Sequence, residues 1–245
     1  DRMREWEARD SSGYTLPHTG EGISLISSLR SMQDTESNRI STYIQETYTL
    51  EHKSGIYNFT GGVRLSYWDY NRECIVSPRI SVGFNPAFNP RLTFRFATGL
   101  YYQAPFYKEF RDTLQDSRGN WTVRLNDRIK SQRSVHVILG SDFTFRAMDR
   151  PFKLTGEVYY KKLDRLISYE VDNVRVWYSG KNNSEGYIAG LDLKLFGEFV
   201  PGVDSWLTFS LMTAKEKTAS GYVPLPTEQR YSVGLFFQDY VPRFP

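Results

Sequence analysis

The sequence predicts an all-β fold, of the kind in which an antiparallel up-and-down sheet forms part of a transmembrane β-barrel. Three observations lead to this prediction: long runs of alternating apolar and polar residues, one face of those runs without charge, and connections that alternate between short and long. Successive side chains of a β-strand point to opposite faces, so alternation with a period of two indicates strands between two different environments.

The segment LTFRFATGLYY (92–102) shows this alternation most clearly, with Leu92, Phe94 and Phe96 on one face and Arg95 on the other. Other clear runs lie at 57–67, 135–145, 152–160, 187–199 and 231–237. Weaker runs lie at 3–9, 23–29, 40–50, 76–84, 174–178 and 206–212. The pattern therefore predicts about 11 or 12 strands, and no segment has the apolar periodicity of a convincing amphipathic helix.

The two faces of the clear runs differ in charge. The apolar face, which includes Phe96, Leu139 and Leu193, carries no charged residue, as the lipid side of a membrane barrel requires. The opposite face carries Arg64, Arg95, Asp142, Lys153, Glu157, Asp192, Lys194 and Glu198, with His136. The weaker run 40–50 departs from the pattern because Glu46 falls on its more apolar face, which predicts a different register or a β-bulge there.

Strand length and connection length favour a membrane barrel. The clear runs reach roughly 10–13 residues, near the length that crosses a bilayer when tilted, whereas soluble strands average roughly 5–6. Short turns are predicted at 85–90 (NPAFNP), 148–151 (MDRP), 200–204 (VPGVD) and 240–245, and long polar connections at 103–134, 163–186 and 214–228. A soluble β-sandwich also alternates, so the pattern alone leaves a soluble β-domain open as an alternative.

Aromatic residues collect where the predicted strands end. Tyr101 and Tyr102 fall where a strand would leave the hydrocarbon, and amphipathic rings prefer that interface. Similar groups are Tyr67, Trp68 and Tyr70, and Trp177 and Tyr178. Aromatic faces also bind sugars, flat chelates and ring-shaped ligands. The candidate ligand contacts are therefore Tyr101, Tyr102, Phe106, Tyr107, Trp121 and Tyr178, with the interface girdle as the rival interpretation for Tyr101 and Tyr102.

Composition and motifs argue against several function classes. The formal charge is +3 and the basic residues are scattered, which gives no indication of a nucleic-acid partner. No apolar run is long enough for a transmembrane helix. The histidines have no metal-ligand spacing, and no serine lies in a nucleophile elbow. The sequence therefore predicts no enzyme, no metal site and no cofactor.

Longer sequence segments, in their order along the chain, resemble the barrel of TonB-dependent outer-membrane receptors. The resemblance is to the type with an N-terminal carboxypeptidase-regulatory-like domain and a plug domain, and it covers most of the chain. It is carried by GGVRLSYWDYNRE (61–73), SPRISVGFNP (77–86), TFRFATGLYYQAPFYKEFRD (93–112), IKSQRSVHVILGSDFTFR (129–146), RPFKLTGEVYYKKLDRLISYEVDNV (150–174), GYIAGLDLKLFGEFVPGVDSWLTFSLM (186–212) and PTEQRYSVGLFFQDYVP (226–242).

This resemblance implies active uptake of a scarce nutrient, such as an iron chelate, a vitamin or a glycan. It also implies a 22-stranded barrel in the outer membrane of a Gram-negative bacterium, with a plug inside and a TonB energy-transducing complex as partner. Residues 1–245 are then expected to be part of a single barrel domain, truncated at both ends. The residues expected to face the lumen and plug are Arg64, Arg95, Lys153, Glu157, Asp192, Lys194 and Glu198. A passive porin is the alternative within the same fold.

Overall fold

The computed structural model of the chain describes residues 2–10, 25–34, 36–115, 121–172, 175–200, 202–218 and 221–238, and every regular element in them is a β-strand. Within these ranges there is no helix with the length and apolar character needed to cross a bilayer. The strands are β1 (Arg2–Asp10), β2 (Leu25–Asp34), β3 (Arg39–His52), β4 (Gly55–Trp68), β5 (Glu73–Pro86), β6 (Leu92–Gln103), β7 (Arg111–Gln115), β8 (Trp121–Leu125), β9 (Gln132–Ala147), β10 (Arg150–Asp172), β11 (Arg175–Val200), β12 (Val203–Thr218), β13 (Gly221–Pro224) and β14 (Tyr231–Phe237).

A 10-stranded antiparallel sheet contains most of these strands, in the order β3-β4-β5-β6-β9-β10-β11-β12. Both β13 and β14 pair with β12, at its opposite ends, so together they act as the next strand. The hairpins β1–β2 and β7–β8 form separate two-stranded sheets. Neighbours in the large sheet are neighbours in sequence, apart from the inserted β7–β8 hairpin. This up-and-down order confirms the predicted barrel class and differs from the Greek-key order of a soluble sandwich.

The register places the apolar residues in rows that run across the sheet. Val82, Phe96, Leu139, Val158 and Leu191 are successive cross-strand partners. Leu139 is 57% exposed and Val158 is 55% exposed, although both lie on central strands. Soluble domains rarely leave so extended an apolar surface open to water. This face of the sheet is therefore suited to lipid.

The adjacent row lies on the opposite face and is polar. Its members are Gly83, Arg95, Gly140, Glu157 and Asp192, again as successive cross-strand partners. The division into an uncharged and a charged face thus holds for these two rows across β5, β6, β9, β10 and β11, as the sequence predicts.

Aromatic side chains border the apolar face at both ends. At the end with the short turns, ring centroids 5.5–5.9 Å apart link Phe143, Phe145, Phe152, Phe199 and Phe237. At the end with the long connections, ring centroids 6.1 and 5.5 Å apart link Tyr160, Tyr187 and Tyr222. Such rings favour the boundary between hydrocarbon and water, so the two rows mark the limits of a membrane band.

The expected irregularity at Glu46 is absent from the pairing of β3 with β4. That pairing runs without a shift from Arg39↔Trp68 to His52↔Gly55, and it sets Glu46 opposite Gly61. Gly61 has open space where a side chain would stand. Glu46 therefore lies on the apolar face, and the prediction of a bulge or a different register was wrong.

The connections predicted to be long loops contain much β-structure. Connection 163–186 is largely the upper part of the β10–β11 hairpin, whose strands have 23 and 26 residues. Connection 214–228 includes the end of β12 and all of β13, and connection 103–134 includes β7 and β8. Neither face of a strand that projects past a membrane meets lipid, so its sequence lacks the long apolar alternation of a membrane strand and is easily taken for a loop.

The short turn expected at 148–151 is present as a two-residue hairpin turn. Met148 and Asp149 have φ values of 54° and 58°, and Ala147 pairs with Arg150 across them. Positive φ at both central positions matches the twist of the flanking strands. The turn predicted at 240–245 lies outside the described residues.

A packed cluster of buried apolar residues lies among the long connections. We name it the loop-end cluster. It comprises Trp68, Phe110, Ile129 and Ile167, with Tyr70, Ala104, Leu125 and Tyr178 packed against it. Ile129 is 1% exposed and Ile167 is 4% exposed. The cluster joins the end of β4, the 103–134 connection and the β10–β11 hairpin into one packed layer.

Candidate functional site

A network of ion pairs occupies the centre of the polar face. The Arg95 guanidinium donates through Nη1 to Asp142 Oδ2 and through Nη2 to Glu157 Oε1, both at 3.0 Å. Arg95 extends from β6, Asp142 from β9 and Glu157 from β10. The Arg95–Glu157 contact therefore bridges two strands that are not neighbours in the sheet.

Gly140 makes that bridge possible. It lies on β9 directly between Arg95 and Glu157, its cross-strand partner on either side. A Cβ at this position would lie 3.3 Å from Arg95 Nε and 3.3 Å from Glu157 Cγ. The missing side chain leaves the space through which the two charged groups meet.

Asp142 is the most enclosed member of the network, at 7% exposure. Besides Arg95 it accepts a hydrogen bond from the Thr155 hydroxyl at 2.8 Å and an ion pair from Lys153 Nζ at 3.3 Å. A buried carboxylate is stable only when its oxygen atoms are well paired, and these contacts meet that requirement.

The other charged residues predicted on this face have different surroundings. Asp192 is the cross-strand partner of Glu157, so two carboxylates lie side by side, and only Glu157 is ion-paired among the described residues. Lys194 Nζ lies 5.0 Å from the ring centroid of Trp206. The Glu198 carboxylate accepts a hydrogen bond from the Gly202 N–H at 3.1 Å, so it closes the β11–β12 turn.

Tyr101 and Tyr102 point to opposite faces. Tyr101 lies on the polar face, where its ring stacks on His136 at 4.1 Å and Arg79 lies 4.4 Å from its centroid. Tyr102 is the cross-strand partner of Arg133 on the other face. The interface-girdle interpretation is therefore wrong for Tyr101, and also for Trp68, which is buried in the loop-end cluster.

The structure brings two of the candidate ligand contacts together. The Phe106 and Tyr178 rings meet edge to face with their centroids 5.4 Å apart, and the Tyr169 ring centroid lies 5.9 Å from that of Tyr178. Phe106 is 45% exposed and Tyr107 is 47% exposed, so both keep a free surface. Trp121 begins β8, and its side chain lies outside the described residues.

Glu109 holds the backbone at Phe106 in place. Its carboxylate accepts hydrogen bonds from the Phe106 N–H and from Gln132 Nε2, each at 3.0 Å. Burial raises the pKa of the Glu109 carboxyl above its ordinary value, and the two hydrogen bonds oppose part of that rise. Sequence reasoning did not single out Glu109, since nothing in the pattern of a predicted loop indicates which charge becomes buried.

Further hydrogen bonds hold the long connections in place. The Glu73 carboxylate accepts from the Ser131 N–H at 2.8 Å and from the Ser131 hydroxyl at 2.7 Å. Asn182 Nδ2 donates to the carbonyl groups of Lys130 and Arg165, at 2.8 and 2.9 Å. The connections thus form an ordered rim above the polar face.

In the part of the chain that the structure describes, no cluster of His, Cys, Asp and Glu side chains is arranged to hold a metal ion. The arrangement is that of a sheet with one polar and one apolar face, and with packed connections at one end.

Comparison with known families agrees with this architecture. A family model described as "TonB dependent receptor-like, beta-barrel" matches residues 3–244 of the chain. The search of curated proteins gave no match.

Proposed function

The chain belongs to the TonB-dependent receptor-like β-barrel family, a family of outer-membrane transporters and not of enzymes, and from that premise we propose that it is part of a barrel that actively takes up a scarce nutrient. The candidate nutrients are an iron chelate, a vitamin or a glycan. The barrel contributes a rigid wall and a hydrated interior, while a plug domain gates the route. The chemistry is that of binding and passage, with no covalent step.

The observation that carries this proposal is the exposed apolar face between its two aromatic rows. It is paired with a charged face that lipid would exclude, so the sheet separates a hydrocarbon from an aqueous compartment. Spin labels at Phe96, Leu139 and Leu193 should report hydrocarbon, and labels at Arg95 and Asp192 should report water. The reverse result would remove the basis of the proposal.

The polar face is proposed to contact a plug. Charges of both signs suit hydrogen bonding to a folded domain better than selection of ions of one sign. Arg64 and Asp192 have no ion-pair partner among the described residues, so they are available for such contacts. The proposed plug-facing set remains Arg64, Arg95, Lys153, Glu157, Asp192, Lys194 and Glu198.

The ligand is proposed to meet the aromatic residues of the rim. The exposed rings of Phe106 and Tyr107 and the neighbouring Tyr178 offer apolar faces beside the lumen. The proposed contact set is Tyr101, Tyr102, Phe106, Tyr107, Trp121 and Tyr178, among which Tyr101 has the best support because it lies on the polar face.

The remaining partners follow from the family. They are the lipid of the Gram-negative outer membrane, a plug domain of the same protein, and the TonB energy-transducing complex acting on the N-terminal part of the receptor. Residues 1–245 are proposed to be one part of a single barrel domain.

Dependence on the TonB complex provides the test. The complete receptor would be expressed in a Gram-negative host with and without a functional TonB complex, and uptake of labelled iron chelates, vitamins and glycans would be measured. Active uptake of at least one compound should be lost without the complex. Uptake that persists unchanged would instead indicate a passive porin.

A further inference from the structure

A cavity opens at the loop end of the polar face, where β5 separates from β6. Strand β5 pairs with β4 along its whole length, Glu73–Pro86, but its pairing with β6 covers only the stretch from Arg79↔Gly99 to Phe84↔Phe94. The cavity has a volume of about 190 Å³. That is enough space for a small polar group of a ligand and its hydrating water.

The charge of the cavity lining is strongly positive. Arg39, Arg64 and Arg79 all contribute to it, whereas no carboxylate does. Ser41, Ser66, Ser77 and Ser131 complete the polar part of the lining. The Ser41 and Ser66 hydroxyls are hydrogen-bonded to each other at 3.0 Å, and the Ser131 hydroxyl donates to Glu73. The guanidinium group is well suited to bind oxyanions, because its planar set of N–H donors matches a carboxylate or phosphate.

Two of the arginines are held by aromatic rings. The Arg39 guanidinium lies 4.1 Å from the centroid of the Trp68 ring, and the Arg79 guanidinium lies 4.4 Å from that of Tyr101. Stacking occupies the flat face of a guanidinium and leaves the N–H groups on its edge free to donate. Both side chains are therefore positioned before any ligand arrives.

Arg64 lies between them in the register. It is the cross-strand partner of Ser77, two residues before Arg79 on β5. Arg64 has no ion-pair partner among the described residues. Three like charges in one cavity repel one another, and an anion between them would relieve that repulsion.

The acidic groups nearest in sequence are already engaged elsewhere. Glu73 accepts hydrogen bonds from the Ser131 N–H and hydroxyl, and Asp69 accepts from the backbone and side-chain amide groups of Asn38, at 2.8 and 3.0 Å. No carboxylate of the described residues lines the cavity; Glu73 contacts its lining at Ser131 and pairs with Arg165 Nη1 at 3.9 Å.

We propose that this cavity, named here the arginine cavity, binds an oxyanion group of the transported ligand, a carboxylate, phosphate or sulfate. The inference rests on the proposed uptake function and deepens it, because it assigns an acidic character to the substrate. Tyr102, which lines the cavity, would contact the ligand beside its anionic group.

Binding of simple anions to the complete receptor in detergent tests the proposal without requiring transport. Inorganic phosphate, sulfate and glucuronate would be titrated at fixed ionic strength, with glucose as the neutral probe, and heat of binding would be recorded. At least one anion should bind, glucose should not, and the order of the anions would identify the preferred group. The variant Arg64→Gln should weaken anion binding about tenfold or more, because it removes one charge-assisted donor set.

The matched control is Arg146→Gln, which removes the same charge from the polar face at the turn end. Arg146 donates to the Asp149 carbonyl and lies outside the cavity, so its loss should leave anion binding unchanged. Equal binding by wild-type protein and Arg64→Gln would overturn the proposal. Absence of anion binding by receptor that still shows the gel mobility of a folded barrel would also overturn it, whether an internal carboxylate closes the cavity or the cavity is inert. Uptake that depends on the TonB complex would survive either result, so the two failures are distinguishable.

Discussion

Two regions of the molecule treat apolar side chains in opposite ways. Leu139 on β9 and Val158 on the lower part of β10 are more than half exposed, whereas Ile129 in the 103–134 connection and Ile167 in the upper part of the β10–β11 hairpin are almost fully buried. A water-soluble protein shows the reverse, with apolar strands inside and connections at the surface. This inversion indicates that the apolar face of the strands contacts lipid and not water. The loop-end cluster, by contrast, is stabilised by the ordinary hydrophobic effect in water.

Truncation of a buried residue in the loop-end cluster provides the largest expected effect. Ile129→Ala should destabilise the cluster by about 2–5 kcal/mol, because it leaves a cavity at a fully enclosed site. Hydrogen exchange measured by mass spectrometry over residues 104–110 and 126–131 would report the change as faster local opening.

Leu139→Ala is the matched truncation on the apolar face. It should cost less than about 1 kcal/mol in a bilayer, because lipid fills the space that the side chain leaves. Equal losses for Ile129→Ala and Leu139→Ala would show that the two regions share one environment, and the comparison would fail.

Introduction of a charged side chain should destabilise the barrel more on the apolar face of β9 than on its polar face. Leu139→Arg should destabilise the folded barrel by about 2–4 kcal/mol, as expected for arginine near the middle of a bilayer. Ile138→Arg, one residue away on the polar face, should cost clearly less, since its charge would lie in water. Urea unfolding from lipid vesicles measures both, and a larger loss for Ile138→Arg would contradict the assignment of faces.

The space at Gly140 should matter more than that at another strand glycine. Gly140→Val should cost about 1–2 kcal/mol, because the new side chain would displace Arg95 or Glu157. Gly61→Val, on β4, has no heavy atom within 4 Å of the added Cβ and should be neutral or stabilising. Urea midpoints of the two variants would compare them, and equal midpoints would mean that the bridge across β9 contributes nothing.

The smallest effect should come from the protonation of Glu109. Since burial raises its pKa, the charged form is the less stable one in the folded cluster, and protection from hydrogen exchange should rise as pH falls through that pKa. Stability gained on protonation is complete below the unfolded pKa and is lost as pH rises through the folded pKa.

In the variant Glu109→Gln, protection from hydrogen exchange should not depend on pH. It should equal the protection of the wild-type protein with Glu109 protonated. The amide can still accept from the Phe106 N–H and can donate to Gln132 after that side chain flips. Protection that remains pH-dependent in the variant would assign the effect to another group.

The sequence predicts the strands well wherever the two faces meet different solvents. The strands at 92–102 and 135–145 are predicted correctly, because contact with lipid requires an unbroken apolar face. That face appears in the sequence as an apolar residue at every second position. The upper parts of β10 and β11 could not be predicted in this way, since neither of their faces meets lipid. Their pairing cannot be extrapolated from the register below them, because that register shifts at three places between Leu163 and Tyr169.

The candidate site shows the same division. Arg95, Glu157 and Asp192 could be assigned to the polar face from alternation alone. The role of Gly140 and the stacking of Arg79 on Tyr101 could not, because they depend on which residues of separate strands become partners. The loop-end cluster draws on residues far apart in sequence, and no periodicity connects Trp68 with Ile129.

The Arg95–Glu157 contact across Gly140 has a mechanical consequence. A slip of β9 by one residue would move its small residue out of the gap, place Leu139 or Ser141 between the charged groups, and turn the apolar side chains of that strand towards water. The contact is therefore compatible with only one register of β6, β9 and β10. Force applied along one of these strands would be transmitted to the other two through this contact.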